Sequence, residues 1–345
     1  MLHPKSRLVT RHVGFLCIMA TAVTGVQTAS ATFPIRSRQI GSVTYVNVYD
    51  VARYYGLKVY FSGDKVNLYS RESGNSLQLD IGRRAAIINA AVCHLSFAPA
   101  MNGNTVMLSA ADFTNIVDSI LRPASLPQHR VRKIAIDAGH GGIDNGARGR
   151  HHLEKDINLK LARLLKSRLE EIGYKVKLTR SNDTFINLSH RCKIARKWDA
   201  DVFVSIHCNA TGKSGVHGME SFILSPVGTP NTSEYKINGE RTSGNAFDSL
   251  NARLAYEIHR HLLAETGGRD RGIKHERFLV LRKAPCPAVL VETGFLSNPT
   301  EEKKLGDPVY QRRIARSIAT GIAAYVHAID DDAGQELSQA SVKKR

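Results

Sequence analysis

Hydrophobic and polar positions follow a short, strand-like pattern in residues 32–122. The runs VTYVNV, KVYFS, KVNLYS, LQLDI and VMLS predict strands, and residues 47–55 and 110–121 predict two short helices. The sequence there contains no cluster of metal-ligand or catalytic side chains. We therefore expect a small α+β domain that serves as a binding or spacer unit.

Strand and helix patterns alternate from residue 131 to residue 328. Helices are predicted at 154–171, 188–198, 246–266 and 308–328. Strands are predicted at 133–138, 174–179, 201–207, 218–224 (GMESFIL), 278–282 (FLVLR) and 288–292. Such alternation predicts an α/β fold, a three-layer sandwich with a mostly parallel, twisted sheet flanked by helices.

Four further segments complete the predicted organisation. Residues 1–31 have a basic start, an apolar run and the small-residue motif Ala-Ser-Ala, which is typical of a secretory signal peptide. The apolar run is too short for a membrane span, so no transmembrane segment is expected after cleavage. Residues 123–130 read as a linker and 329–345 as a disordered tail. The polar stretch 226–244 predicts a long surface loop, either a lid or a neutral insertion.

Charge and cysteine content narrow the class of protein. Without residues 1–31, 45 basic and 31 acidic residues remain, a net charge of +14. This charge either favours binding to polyanions or only aids solubility. If it serves binding, export favours an anionic cell envelope over nucleic acid, for which no binding motif is found. We expect a location in the periplasm, the cell wall or outside the cell. Cys93, Cys192, Cys208 and Cys286 could form disulfides there, but their spacing does not determine a pairing.

Candidate chemistry lies where the predicted strands end. His140 follows the first strand of the second domain, His207 ends ADVFVSIH, and Glu292 ends AVLVE. Glu154 opens the first helix of that domain. Because strand carboxyl ends form the ligand-binding rim of an α/β sheet, these side chains can converge. Two His and a Glu suit a catalytic Zn²⁺ site, and a second Glu suits a general base.

Several roles stay open on this reasoning. His151 and His152 could replace Glu154 as metal ligands, since a carboxylate at a helix start also has a purely structural explanation. Asp137 could orient the imidazole of His140 or cap the turn. Two arginines near the rim segments could contact substrate carboxylates or be surface charges, namely Arg271 and Arg282.

Taken in order, IAIDAGHGG, EKDINL, ADVFVSIHCNA, GMESFIL, RDRGIK and PAVLVETGFLSNPTEEKKL resemble the amidase type 3 family. These are zinc-dependent N-acetylmuramoyl-L-alanine amidases of bacterial cell-wall turnover. The resemblance covers residues 131–328 and implies Zn²⁺ ligands at His140, Glu154 and His207, with Glu292 as catalytic acid and base. It also implies peptidoglycan as substrate and an activator protein as a candidate partner. One departure is Ala195-Arg196, where the family usually has Ala-Asn. Residues 32–122 are weakly similar to the N-terminal module of copper amine oxidases.

Two rival functions remain at this point. A zinc peptidase that cuts within the peptidoglycan stem peptide would use the same chemistry, although no HExxH motif is present. A catalytically inactive envelope-binding protein is the other alternative, and the complete ligand set with Glu292 argues against it. Some family members are inhibited by a helix that plugs the zinc site. The 226–244 loop is too short and polar for us to expect strong inhibition of that kind.

Overall fold

A computed structural model describes residues 35–330 of the chain. The predicted signal peptide and residues 331–345 of the predicted tail lie outside the described residues. No helix in 35–330 is long and apolar enough to cross a membrane.

The first part of the described chain consists of short strands and helical segments. The strands are β1 (Ser37–Ile40), β2 (Val43–Asn47), β3 (Lys58–Ser62), β4 (Lys65–Tyr69), β5 (Ser76–Asp80), β6 (Ala85–Ile88), β7 (Ala91–His94), β8 (Ala100–Asn102) and β9 (Thr105–Ser109). The helices are α1 (Val48–Tyr54), α2 (Ala110–Asp112) and α3 (Asp118–Leu121), with a π-helical segment (Phe113–Val117) between the last two and a 3₁₀ turn (Pro123–Ser125) after them.

The second part alternates strands with longer helices. Its strands are β10 (Lys133–Ala138), β11 (Lys175–Leu178), β12 (Val202–Asn209), β13 (Met219–Ile223), β14 (Thr229–Pro230), β15 (Ile237–Asn238), β16 (Asp270–His275) and β17 (Ala288–Phe295). Its helices are α4 (Glu154–Glu171), α5 (Leu188–Lys197), α6 (Asp248–Thr266), α7 (Leu279–Arg282), α8 (Pro299–Gly306) and α9 (Pro308–Ile329), with a 3₁₀ turn (Ser243–Phe247) before α6.

One large sheet organises the molecule, with strand order β11-β10-β12-β17-β13-β16-β7-β6-β5-β4-β3. Strand β10 pairs in parallel with β11 and β12, and β12 with β17, whereas β13 runs antiparallel to β17. Alternate residues of each strand point to opposite faces. Ile134 and Ile136 therefore belong to the hydrophobic core that includes residues of α4, α6 and α9, and Ala135 belongs to the core on the other face, with residues of α5 and α7. The predicted α/β fold, with helices on both faces of a large sheet, is confirmed.

Several elements differ from the sequence-based expectation, mostly short strands that were not predicted. The segment FLVLR was predicted as a strand and is wrong, because residues 279–282 form the single helical turn α7. A short apolar run fits either structure, and here Val280 and Leu281 are buried against α5. Strand β16 and helix α8 were not predicted, since both are rich in charged residues.

The large sheet continues from the second part of the chain into the first. Strand β7 pairs in parallel with β16 through Cys93 and Ile273, and β6 to β3 extend the sheet from there. The carboxylate of Asp270 accepts the backbone N–H of Val92 at 2.9 Å. Hydrogen bonds between β7 and β16 therefore join residues 32–122 to residues 131–328. The division into separate domains at these bounds stays a prediction.

The 226–244 loop follows the carboxyl end of β13, whereas Glu220 lies near the start of that strand. Glu220 pairs with Glu292 and Phe222 with Leu290, so β13 runs toward the amino end of β17. The chain then enters the loop, which contains β14 and β15, and returns along α6. The loop therefore lies at the end of the sheet opposite to the one where the carboxyl ends of β10, β12 and β17 lie. This loop does not form a lid over those strand ends.

Candidate metal and acid/base centre

His140 lies two residues beyond β10 in an unusual backbone conformation. Its φ is 60°, in the left-handed region that costs a non-glycine residue energy. The preceding Gly139 is required by close packing, because a Cβ there would collide with the ring of His207. Two buried arginines secure this turn: Arg191 donates to the carbonyl of His140 at 2.8 Å, and Arg180 donates to the carbonyl of Gly139 at 2.9 Å.

Asp137 does not contact the imidazole of His140. Its carboxylate instead accepts hydrogen bonds from Thr179 at 2.7 Å, Arg191 at 2.8 Å and Ser205 at 2.8 Å. Of the two roles that the sequence left open for Asp137, orientation of this imidazole is wrong, because its carboxylate is buried among these other partners and the residue is 1% exposed. Its role is to anchor Arg191.

Asp144 is the residue that contacts the His140 imidazole. Its Oδ2 lies 2.9 Å from Nδ1 of His140, and its Oδ1 accepts the backbone N–H of Gly146 at 3.0 Å. This contact leaves Nε2 of His140 to face Glu154, at 3.2 Å from Oε1. Sequence reasoning missed Asp144, although an acidic residue four positions after a candidate ligand in a glycine-rich turn is a usable signal.

Glu154 is the first residue of α4 and is only 5% exposed. Its Oε2 accepts the backbone N–H of Ala147 at 2.7 Å, and its Oε1 lies 2.8 Å from Nδ1 of His207. Burial alone would raise the pKa of Glu154, but the hydrogen bonds and charges of His140 and His207 outweigh it and hold this pKa well below the ordinary value. Glu154 is therefore a carboxylate anion aimed at both imidazoles.

The structure brings His140, Glu154 and His207 together, with one ligand atom from each within 4.8 Å of the others. His151 and His152 are not members of this group; their backbone N–H groups donate to Glu302. Two imidazoles and a carboxylate match the three-ligand set of catalytic zinc sites. The convergence of Nε2 of His140 and Nδ1 of His207 on Oε1 of Glu154, and the Asp144 contact to the remote nitrogen of His140, also fit a zinc ion.

Glu292 lies beside this cluster on the neighbouring strand. It pairs with His207 across β12 and β17, and with Glu220 across β17 and β13. Its Oε2 is buried without a hydrogen-bond partner in the structure. Burial is the main cause that raises the pKa of Glu292 well above its ordinary value, and the charge of Glu154 adds to it. A carboxyl group with a raised pKa and an oxygen free of hydrogen bonds is suited to accept and return a proton.

Glu220 lies on the far side of Glu292 from His207, with two cations beside it, and of these three residues the sequence analysis named only Arg271. Glu220 Oε1 lies 2.7 Å from Nε of Arg271 and 2.6 Å from Nζ of Lys274. Arg271 is thus already paired within the protein. Arg282, on α7, lies 3.7 Å from the exposed carboxylate of Glu240, which belongs to the 226–244 loop.

The four cysteines of the described chain are buried thiols without disulfide partners. Cys208 follows His207, but its Sγ lies 3.3 Å from Oγ1 of Thr293 and is not part of the ligand cluster.

Comparison with known proteins identifies the family. The family model described as N-acetylmuramoyl-L-alanine amidase matches residues 134–324. N-acetylmuramoyl-L-alanine amidase LytC of Bacillus subtilis is 37% identical over 192 residues, which is 56% of this chain and 35% of that protein. N-acetylmuramoyl-L-alanine amidase AmiA of Escherichia coli is 33% identical over 225 residues, which is 58% of this chain and 78% of that protein.

Among solved structures, the catalytic domain of CwlV, an N-acetylmuramoyl-L-alanine amidase from Bacillus (Paenibacillus) polymyxa var. colistinus, is 37% identical with a TM-score of 0.49. The match covers 57% of this chain and 99% of that domain. The chain thus spans about a third of LytC and most of AmiA. Because the family model covers more than half of the sequence, the chain belongs to the N-acetylmuramoyl-L-alanine amidase family, as its motifs predicted.

Proposed function

We propose that this chain hydrolyses the amide bond between N-acetylmuramic acid and L-alanine in bacterial peptidoglycan, with Zn²⁺ as cofactor. Family membership supports the reaction. The single observation that carries the proposal is the convergence of His140, Glu154 and His207 beside Glu292, whose Oε2 is buried without a hydrogen-bond partner. His140, through Nε2, and the other two residues would hold the ion.

When bound, zinc would lower the pKa of water toward about 7 and polarise the amide carbonyl. Glu292 accepts the proton of the attacking water. It then returns that proton to the departing amine of L-alanine, so one carboxyl group serves as base and acid. The raised pKa of Glu292 suits the second role, because a carboxyl group that holds its proton can deliver it.

The location and partners follow from the substrate. Acting on peptidoglycan requires the enzyme to reach the cell wall, so we propose export through the segment 1–31 to the periplasm, cell wall or exterior. An activator protein is a further candidate partner, and no nucleic acid is proposed.

Digestion of purified peptidoglycan tests the proposal, with the products identified by mass spectrometry. Untreated protein should release intact stem peptides, whereas chelator-treated protein should not, and added Zn²⁺ should restore release. Glu292→Gln should retain zinc and lose about 10²–10⁴-fold in rate. Glu171→Gln, at an exposed position near the end of α4, is the control. Fragments cut inside the stem peptide would instead identify a zinc peptidase, and an unaltered rate in Glu292→Gln would remove Glu292 from the mechanism.

A further inference from the structure

Helix α8 contacts the loop that leads into Glu154. The carboxylate of Glu302, on α8, accepts the backbone N–H of His151 at 2.5 Å and that of His152 at 3.0 Å. These residues are far apart in sequence, so the contact joins α8 to the 148–153 loop in three dimensions only.

Glu302 is held in this position as an anion. The residue is 4% exposed, although glutamate is seldom buried. Burial alone would raise its pKa, but the N–H groups of the loop outweigh that effect and lower the pKa of Glu302 below its ordinary value. Charged hydrogen bonds to backbone N–H groups are stronger than neutral ones. The carboxylate therefore fixes the loop backbone more firmly than a neutral side chain would.

The 148–153 loop forms a tight turn that lets the Glu302 carboxylate approach its backbone closely. Gly149 donates its N–H to the carbonyl of His152 at 2.9 Å, and Arg148 and Leu153 form a β-bridge, which closes a tight turn. A Cβ at Gly149 would collide with the carboxylate of Glu302. The close approach thus depends on glycine at this point of the loop.

The end of this turn is the start of α4. Leu153 occupies the N-cap position and has no side-chain group with which to cap the helix. The backbone N–H of Glu154 donates to the carbonyl of Ala147 at 2.9 Å, across the base of the same turn. The position of the Glu154 backbone is therefore set by the loop that Glu302 holds.

We propose that Glu302 is a positioning residue for the metal centre: by fixing the 148–153 loop from α8, it places Glu154 for metal coordination. This inference rests on the proposed zinc binding by Glu154. It adds a residue 148 positions later in the chain that contacts neither the metal-facing atoms nor the side chains of the cluster.

Zinc affinity, measured by chelator competition, tests the inference on the full chain alongside the thermal stability of the zinc-free protein. Glu302→Gln keeps the shape and removes the charge, and Glu302→Ala removes both. Outer partners of metal ligands typically contribute about 10–100-fold in affinity, so we expect Kd for Zn²⁺ to rise by that factor, more for Ala than for Gln. The groove beside Glu302, of about 450 Å³, admits water to the freed N–H groups, so folding should survive.

Two further variants separate positioning from general stability. Gly149→Ala displaces the carboxylate without removing its charge and should also weaken zinc binding. Glu301→Gln is the matched control: Glu301 holds the backbone N–H groups of Gly218 and Phe295 instead, so stability should fall while the Kd for Zn²⁺ stays within about twofold.

The outcomes distinguish this inference from the proposed function. If Glu302→Ala lowers the melting temperature but leaves the Kd for Zn²⁺ unchanged, Glu302 is only a structural residue and the inference is overturned. If the unsubstituted protein does not bind Zn²⁺, the proposed function itself fails.

Discussion

Nδ1 of His140 lies 2.9 Å from Oδ2 of Asp144, four residues further along the same glycine-rich loop. This contact selects which ring nitrogen of His140 can face Glu154. A carboxylate on the remote nitrogen of a metal-bound histidine also orients the ring and raises its basicity. Asp144 is thus the partner that the sequence suggested at Asp137.

We expect Asp144→Asn to raise the Kd for Zn²⁺ by about 10–100-fold, because His140 loses the charge that orients its ring. Competition against a chromophoric chelator measures this change. Asp199→Asn, at an exposed carboxylate in a turn, serves as the control. Equal zinc affinity in both variants would show that Asp144 does not act on the metal site.

Arg191→Met should reduce the free energy of unfolding by about 3–5 kcal/mol, the usual cost of removing one partner of a buried ion pair. Arg191 and Asp137 are each 1% exposed, and the substitution leaves the Asp137 carboxylate buried without its cation. Denaturant unfolding measures the loss. The double variant Arg191→Met/Asp137→Asn should recover part of it, since no buried charge remains. A loss below about 1 kcal/mol in the single variant would contradict this account.

His275 should make the protein less stable in acid. Burial lowers the pKa of His275 to about 3, and the nearby charges of Arg84 and His94 add to this effect. An unfolded histidine has a pKa of about 6.5, so between these values the unfolded state binds a proton that the folded state does not. The free energy of unfolding therefore falls as the pH drops below about 6.5, by about 2 kcal/mol at pH 5 from this residue.

Urea unfolding between pH 7 and pH 5 tests this pH dependence. His275→Gln, which cannot take up the proton, should lose less stability over that range than the unsubstituted protein. His190→Gln, at an exposed helix position, should follow the unsubstituted protein. Identical pH dependence in the His275 variant would rule out this residue as the cause.

Arg84→Ala should loosen the 226–244 loop without impairing hydrolysis of soluble muropeptides. The guanidinium of Arg84 donates to the backbone carbonyls of Asn231 at 2.9 Å and Glu234 at 3.1 Å. Hydrogen–deuterium exchange should increase in this loop. Because the loop lies at the opposite end of the strands from His140, Glu154 and His207, the rate should remain within about twofold of the unsubstituted protein. A large loss of activity would show that the loop does reach the substrate.

Hydrophobic periodicity was sufficient to predict the larger elements of residues 131–328. The stripe on α4 reflects a helix with one buried face, and the continuous apolar runs of β10, β12 and β17 reflect strands covered on both faces. The carboxyl ends of parallel strands lie at one rim of the sheet. The convergence of His140, His207 and Glu292 could therefore be predicted from the local pattern and the fold class alone.

Local pattern failed where tertiary contacts decide the structure. The apolar run 279–282 became a helical turn because of its packing on α5, and the polar β16 became a strand because β13 and β7 supply its hydrogen-bond partners. The joining of the two parts of the chain into one sheet is likewise a pairing between strands that no local pattern encodes.

By itself, the sequence determined the α/β class, the family and the residues that we propose as zinc ligands, because these depend on residue type and on order along the chain. Only the tertiary structure decided which neighbours act on them: Asp144 on His140, the buried pair of Arg191 and Asp137 under the first ligand loop, and Glu302 on the loop before Glu154. Hydrogen bonds depend on distance and direction in space, and residues 54 or 151 positions apart acquire these only when the chain folds.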